Sequence, residues 1–160
     1  MRIFVSVGTH TQQFDRLFKE LEAIKQRHPE WEIYAQTGYS QYKPMNCHLS
    51  DFLNEKQYGE WFSKADVVVS HGGAGTIIGT ITRKKPLVIA PRLAKFGEHT
   101  NDHQLELAKA IEERGLASIA VDISSLEEKI MQAYNSIGNF ESGKNKMAEE
   151  LREYLLALKK

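Results

Sequence analysis

Four glycines and a histidine stand at the end of an apolar run in the segment VVVSHGGAGTIIG, residues 67–79. Glycine has no Cβ, so a turn rich in glycine lets backbone N–H groups approach an anion closely. A helix that begins directly after such a turn adds the positive end of its dipole. These residue types at this spacing predict a binding site for a diphosphate.

Two side chains of this stretch could add hydrogen-bond donors to the same anion. His71 could donate a ring N–H to a phosphate oxygen, and the Thr76 hydroxyl could donate another. The alternative is structural: the glycines permit a tight turn and close packing of a helix on a strand, and His71 is a structural residue. A histidine directly before two glycines favours the anion, and both interpretations stay open.

The spacing of the glycines argues against two common nucleotide-binding motifs. GAGTIIG is only loosely similar to the dinucleotide fingerprint G-x-G-x-x-G, and it follows the fourth predicted strand rather than the first. Arg92 follows the next strand, where an acidic residue would hold an adenosine ribose, so NAD is disfavoured. NADP stays open because an arginine can contact a 2′-phosphate. No Walker A pattern occurs, since no glycine is followed by Lys and then Ser or Thr.

Composition narrows the possible classes of protein. We expect one domain over residues 1–160, and the balance of 21 basic and 21 acidic residues offers no basic field for nucleic acid. Cys47 is the only cysteine, which excludes an internal disulfide framework and favours a reducing, cytosolic setting. No apolar run has the length expected of a membrane span or a signal sequence.

The elements that must position the glycine turn alternate between apolar runs and helical patterns. Strands are predicted at 2–7, 31–38, 47–53, 66–70, 87–91 and 116–121. Helices are predicted over 14–24, 55–65, 76–85, 101–115, 125–137 and about 141–159. Several strands are apolar throughout, which is typical of strands buried on both faces. The predicted fold class is α/β: a Rossmann-like open parallel sheet with helices on both faces.

In open parallel sheets, ligands bind beyond the carboxyl ends of the strands, near the switch in strand order. Three unusual segments follow predicted strands: GTHT at 8–11, SHGGAGT at 70–76 and PRLAKFGEHTNDHQ at 91–104. We therefore expect these three loops to meet at one edge of the sheet.

At these residues the chain resembles a known family. ADVVVSHGGAGTI and KKPLVIAPRLAKFGEHTNDHQLELA are similar to the C-terminal, donor-binding half of glycosyltransferase family 28, and the resemblance extends from VSVGTHTQQFDRL to LEEKI. Within the family, the chain most resembles the small catalytic subunits of split bacterial capsule and exopolysaccharide glycosyltransferases. Those are related to the eukaryotic subunit that adds the second GlcNAc to the dolichol-linked oligosaccharide.

The resemblance implies one half of a GT-B enzyme. This chain would bind a UDP-sugar, and a membrane-anchored partner subunit would bind the lipid-linked saccharide acceptor and supply the general base, so no catalytic residue is assigned here. The implied reaction is inverting hexose transfer without a metal or other cofactor. It would take place on the cytoplasmic side of the membrane, to which the partner recruits this chain. The alternative from another class is a non-catalytic nucleotide-sugar-binding module that regulates a partner.

The resemblance also implies roles for individual residues. Diphosphate binding is assigned to Gly8, Thr9, His71, Gly72, Gly73, Ala74, Gly75 and Thr76. Uracil binding is assigned to Phe52 and Leu53, and sugar binding to Asp102, His103 and Gln104.

Gly79 departs from the family pattern, because related members carry a ribose-binding glutamate at this position. Glu98 is a candidate substitute, since a carboxylate can accept hydrogen bonds from two hydroxyls of the ribose. The structural alternative for the last loop is a capping box between Asn101 and Gln104. Tyr154, Leu155 and Leu158 on the final helix could contact the partner or pack on their own sheet.

Overall fold

The computed structural model of the chain describes residues 1–136 and 144–158, and it contains one six-stranded sheet. The strands are β1 (Arg2–Ser6), β2 (Glu32–Gln36), β3 (His48–Ser50), β4 (Val67–Ser70), β5 (Leu87–Ile89) and β6 (Ser118–Ile119). Their order is β3-β2-β1-β4-β5-β6, and every neighbouring pair is parallel. The predicted open parallel sheet is confirmed, and its strand order switches direction between β1 and β4.

Within residues 1–136 and 144–158, six α-helices connect and follow these strands. They are α1 (Asp15–Arg27), α2 (Glu55–Lys64), α3 (Ala74–Thr82), α4 (His103–Glu113), α5 (Leu126–Asn135) and α6 (Lys144–Leu158), with short 3-10 helices at Ala94–Phe96 and Ile123–Ser125. Of the predicted final helix, residues 141–143 and 159 lie outside the described part of the chain. Within the described part, no helix is long and apolar enough to cross a membrane.

The observed boundaries differ from the predicted ones where apolar residues continue past the last ladder hydrogen bond. Residues 116–121 predict a strand of six, whereas β6 pairs only Ser118 and Ile119 with β5. The third helix begins at Ala74, two residues before its predicted start at Thr76. The glycine turn is therefore tighter than predicted, and part of it belongs to the first turn of α3.

The two faces of the sheet bury separate hydrophobic clusters, as the alternation of side chains along β1 requires. Ile3 and Val5 face a cluster completed by α1 and α5. Phe4 points to the opposite face, where its cluster includes residues of α2, α3 and α4, and also Leu155 of α6. Helices thus cover both faces of the sheet, which confirms the predicted layer arrangement.

The strand register brings the three candidate loops together. Ser6, at the end of β1, lies opposite Ser70, at the end of β4, and Ser70 in turn lies opposite Ile89 of β5. The segments that follow these three strands consequently leave the sheet side by side, at the switch in strand order.

Substitutions of Leu155 and of its neighbour Leu156 test whether α6 packs into the hydrophobic core of this domain. Leu155 is 1% exposed and Leu156 is 47% exposed. We expect Leu155→Ala to lower the free energy of unfolding by about 2 kcal/mol or more, because it removes a buried side chain. Leu156→Ala should change it by less than about 0.5 kcal/mol. Urea unfolding of both variants measures this difference, and equal effects would contradict the packing of α6.

Candidate active site

The loops that follow β1 and β4, together with the start of α4, line an open cavity of about 640 Å³. Its lining residues are Gly8, Thr9, His10, Thr11, His71, Gly73, Gly75, Thr76 and Gln104. We call this space the glycine cavity. Six of the eight predicted diphosphate residues line this cavity, and Gly72 and Ala74 do not. The loops that were predicted to converge therefore do so.

The first turn of α3 supplies the cavity with backbone donors. An α-helix leaves the N–H groups of its first turn without intrahelical partners, and α3 begins at Ala74. A Cβ added at Gly75 would meet nothing within 4 Å, so this residue presents bare backbone to open space. The amide of Gly72, in contrast, donates to Ser70 Oγ at 3.2 Å. The amides available to an anion are thus those at the helix start.

His71 occupies a slot between two glycines. Its Nδ1 lies 3.0 Å from the carbonyl oxygen of Ser6, and since a carbonyl oxygen only accepts, Nδ1 carries the proton. A Cβ at Gly8 would stand 2.8 Å from Nε2 of the ring, and one at Gly73 would stand 2.5 Å from it. The lack of side chains at Gly8 and Gly73 therefore makes room for this ring, which supports the structural interpretation for these two glycines.

The charge of His71 follows from its surroundings. Burial lowers the pKa of His71 to about 4, against the opposing hydrogen bond to Ser6, and the nearby Arg92, His10 and His99 lower it further. At neutral pH the ring is neutral with its proton on Nδ1, so Nε2 is an acceptor. Contrary to the expectation from the sequence, the ring in this state has no N–H to donate to a phosphate.

Arg92 ties the loops around the glycine cavity together from inside the protein. Its side chain is fully buried, and its guanidinium donates to the carbonyl oxygens of Val7 at 3.1 Å, Gln12 at 2.7 Å, Gln13 at 3.0 Å and Glu98 at 3.3 Å. Burial lowers the pKa of Arg92 to about 10, so the group stays charged at neutral pH. The idea that Arg92 meets a 2′-phosphate is wrong, because the side chain is fully buried and both of its terminal nitrogens donate to backbone carbonyl oxygens.

Glu98 is committed to a buried ion pair. Its Oε1 accepts from Arg16 Nε at 2.9 Å, and its Oε2 accepts from Arg16 Nη2 at 3.0 Å and from the Leu93 amide at 3.0 Å. The carboxylate is 1% exposed. Its burial contradicts the hypothesis that Glu98 binds the ribose, and the ion pair instead fixes the loop after β5 against α1.

The three predicted sugar-binding residues lie at the start of α4 with different roles. Gln104 lines the glycine cavity, while its Oε1 lies 3.4 Å from the Arg92 amide. Asp102 Oδ1 accepts from the Ala94 amide at 2.9 Å. The predicted capping box is wrong, since Asn101 Oδ1 accepts from the His103 amide rather than from that of Gln104. The His103 side chain is exposed.

Two further spaces adjoin the glycine cavity. The first, of about 560 Å³, lies between α4 and α6 and shares Gln104 with it. The second is a groove of about 370 Å³ between α2 and α3, which we call the α2–α3 groove, and it shares Gly75. Its walls include Tyr58, Phe62, Gly79 and Arg83. The diphosphate site predicted from the sequence therefore forms the middle of a longer cleft.

Arg83 fills the space that the missing side chain of Gly79 leaves. A Cβ at Gly79 would lie 3.5 Å from Nη1 of Arg83, and that nitrogen donates to the Gly79 carbonyl oxygen at 3.3 Å. The guanidinium carbon lies 5.3 Å from the centre of the Phe62 ring, within the range of a cation–π contact. The sequence analysis missed Arg83, although it stands one helical turn beyond a glycine already singled out.

Phe52 and Leu53 do not line the glycine cavity, but Gln36 connects them to it. Gln36 Nε2 donates to the Gly8 carbonyl oxygen at 3.1 Å, and its Oε1 accepts from the Leu53 amide at 3.4 Å. Phe52 is exposed and packs edge-to-face against Tyr39. Gln36 was not predicted as a site residue, although a glutamine at the carboxyl end of an apolar strand could have indicated one.

His10 and His99 form a pair of histidines near His71. Their ring centres are 4.9 Å apart. Burial lowers the pKa of His10, and His99 and Arg92 add to the effect. The contact between these two rings was not predicted, because the loops that carry them are far apart in the chain.

The fold and the site together define the class of protein to which this chain belongs. Its structural neighbours are GT-B glycosyltransferases; the glycotransferase of kitacinnamycin superposes with a TM-score of 0.65 at 20% identity, over 98% of this chain and 39% of that one. Residues 2–156 match the model of the glycosyltransferase family 28 C-terminal domain. The chain belongs to this family.

Relatives in sequence agree with that assignment. The chain is 30% identical over 108 residues to the UDP-N-acetylglucosamine--N-acetylmuramyl-(pentapeptide) pyrophosphoryl-undecaprenol N-acetylglucosamine transferase of Natranaerobius thermophilus, covering 68% of this chain and 27% of that enzyme. It is 30% identical over 128 residues to the UDP-N-acetylglucosamine transferase subunit ALG13 of Mus musculus, covering 71% of this chain and 10% of that protein. The chain thus matches less than a third of the length of either relative.

The buried ion pair of Glu98 yields a stability prediction. Glu98→Gln should lower the free energy of unfolding by about 3 kcal/mol, because it leaves the Arg16 guanidinium without its carboxylate beside the buried Arg92. Glu106→Gln, at an exposed position of α4, should change it by less than about 0.5 kcal/mol. Thermal and urea unfolding measure both, and equal stability of the two variants would contradict the structural role of Glu98.

Proposed function

We propose that this chain is the donor-binding catalytic subunit of a UDP-sugar-dependent glycosyltransferase. The observation that carries the proposal is the open first turn of α3, whose amides face the glycine cavity at the switch in strand order beside the bare Gly75. Membership of glycosyltransferase family 28 supports it. The names of the relatives, which specify UDP-N-acetylglucosamine as donor, support a UDP-hexose.

In this proposal the diphosphate binds to the amides of Ala74, Gly75 and Thr76. The hydroxyls of Thr9 and Thr76 lie at the same cavity and can donate as well. As the bond from the sugar to the diphosphate breaks, negative charge develops on the UDP leaving group. Fixed amides and the helix N-terminus stabilise that charge, a role that a metal ion has in other transferases, so we propose transfer without a metal.

The spaces on either side of the diphosphate would receive the two ends of the donor. The hexose would lie at the start of α4, against Gln104, with Asp102 and His103 close by in the chain. The uridine would extend along the α2–α3 groove toward Phe52 and Leu53. Arg83 would donate to the ribose hydroxyls, in place of the carboxylate that the sequence analysis sought in Glu98.

The acceptor and the general base belong to the partner in this proposal. The described residues that line the glycine cavity include no carboxylate that could act as the base. The relatives include a transferase that acts on a pyrophosphoryl-undecaprenol substrate and a protein named as a transferase subunit. We propose inverting transfer to a lipid-linked saccharide, with a membrane-anchored partner that recruits this chain to the cytoplasmic face.

The second candidate function is a nucleotide-sugar-binding module that regulates a partner without turnover. The absence of a carboxylate from the described lining of the glycine cavity favours it. Co-expression with a candidate membrane partner separates the two functions. In membranes that carry both chains, labelled UDP-hexoses should transfer label to a lipid-linked acceptor, and either chain alone should give little product. Donor binding without transfer in the paired sample would contradict the catalytic proposal and favour the module.

Arg83 provides a test of where the uridine lies. Arg83→Ala should weaken UDP binding about tenfold, because a hydrogen bond from a charged donor contributes about 1.5–3 kcal/mol, and it should leave pyrophosphate binding unchanged. Arg114→Ala is the matched control, since each arginine donates to the carbonyl oxygen four residues before it. Calorimetry with UDP and with pyrophosphate measures the four affinities. An equal loss for both ligands in Arg83→Ala would contradict the proposed place of the uridine.

A further inference from the structure

The glycine cavity lacks a permanent positive charge of its own. The described residues that line it include glycines, threonines, two histidines and a glutamine, but no lysine or arginine. The buried Arg92 directs its two terminal nitrogens to four backbone carbonyl oxygens. A diphosphate brings negative charge into this space, and among the described residues that line it the helix N-terminus and the titratable histidines are the groups placed to offset it.

The position of His71 makes it the group that can respond to the negative charge of the diphosphate. Its ring is held between Gly8 and Gly73, with Nδ1–H bound to the Ser6 carbonyl oxygen, so the ring cannot turn to offer Nδ1 to a ligand. The ring lines the glycine cavity, and its remaining nitrogen is Nε2. In the neutral ring Nε2 carries a lone pair, which repels a phosphate oxygen, whereas a protonated Nε2 donates to one.

We propose that binding of the donor diphosphate is coupled to the uptake of one proton at Nε2 of His71. The inference rests on the proposed function and adds a proton to it. The proton comes from the solvent, no covalent bond of the donor changes on binding, and Nε2–H then donates to a phosphate oxygen. The same hydrogen bond remains in place while charge develops on the leaving UDP.

The groups around His71 determine the free state. Arg92 from the segment after β5, His10 from the loop after β1 and His99 from the loop before α4 all disfavour a positive ring. Glu98 bonds to Arg16 and lies next to Arg92, so it offsets part of this charge without reaching the cavity. The bound diphosphate reverses the balance and raises the pKa of His71 above its free value of about 4.

The sign of the pH dependence follows from that rise. A group whose pKa is higher in the complex favours binding when it can be protonated, so the donor affinity is greatest at low pH. As the pH rises through the pKa of the complex, the affinity falls, by up to about tenfold for each pH unit for one proton.

Calorimetry on the wild-type chain tests the coupling. UDP-glucose and UDP-N-acetylglucosamine are titrated at one pH, near about 6, in two non-phosphate buffers with different ionisation enthalpies. Sugar nucleotides are the right probes, because they lack the second phosphate ionisation that free UDP has near about pH 6. We expect the observed heats to differ by an amount that corresponds to close to one proton taken up. Equal heats in the two buffers would overturn the coupling while leaving the proposed function intact.

Absence of binding in every buffer would overturn the proposed function, and this inference with it. Replacement of His10 and His99 together by Gln should preserve the uptake, and its loss in that double variant would overturn the assignment to His71. His71→Gln should abolish the uptake, whereas His48→Gln, on the edge strand β3, should keep it. Should His71→Gln fail to fold, ¹⁵N spectra of the wild-type histidines decide: one ring should change from the neutral Nδ1–H form to the imidazolium when the sugar nucleotide is added.

Discussion

The buried guanidinium of Arg92 is the interaction on which the candidate site depends. A single side chain donates to carbonyl oxygens of the segment after β1 and to the Glu98 carbonyl in the loop after β5. The buried charge is tolerated because both terminal nitrogens of the guanidinium are hydrogen-bonded. Arg92 therefore fixes the shape of the glycine cavity without lining it.

The charged side chains of Arg92 and Glu98, which hold the loops together, are buried and do not line the glycine cavity. Glu98 pairs with Arg16 inside the protein and offsets part of the charge of Arg92. The glycine cavity itself offers amides, hydroxyls and neutral imidazoles, which are polar without a permanent charge. In the proposed function, such a site would hold a diphosphate through directed hydrogen bonds and would release UDP after transfer, because the described lining includes no fixed cation to retain it. This division explains why the glycines, rather than basic residues, dominate the turn after β4.

The sequence predicted the sheet well because its evidence was local. The apolar runs that became β1 and β4 are buried on both faces, and the glycine turn between β4 and α3 stands where parallel sheets bind ligands. The roles of Arg92 and Glu98 were not predictable in this way. A charged residue in a loop suggests a ligand contact. Only the folded chain shows that Arg92 contacts Val7 and that Glu98 contacts Arg16, 82 residues away. The tautomer of His71 depends on the same kind of distant contact, here with Ser6.

The central claim is that the amides at the start of α3 bind the diphosphate of a sugar nucleotide. The most direct measurement is a ¹H–¹⁵N correlation spectrum of the labelled chain during titration with UDP, together with the partner chain if the isolated one binds weakly. The account predicts that the largest amide shifts occur at Ala74, Gly75 and Thr76, with smaller ones at Gly8 and Thr9. Saturable shifts centred on another part of the chain, with these amides unchanged, would contradict it.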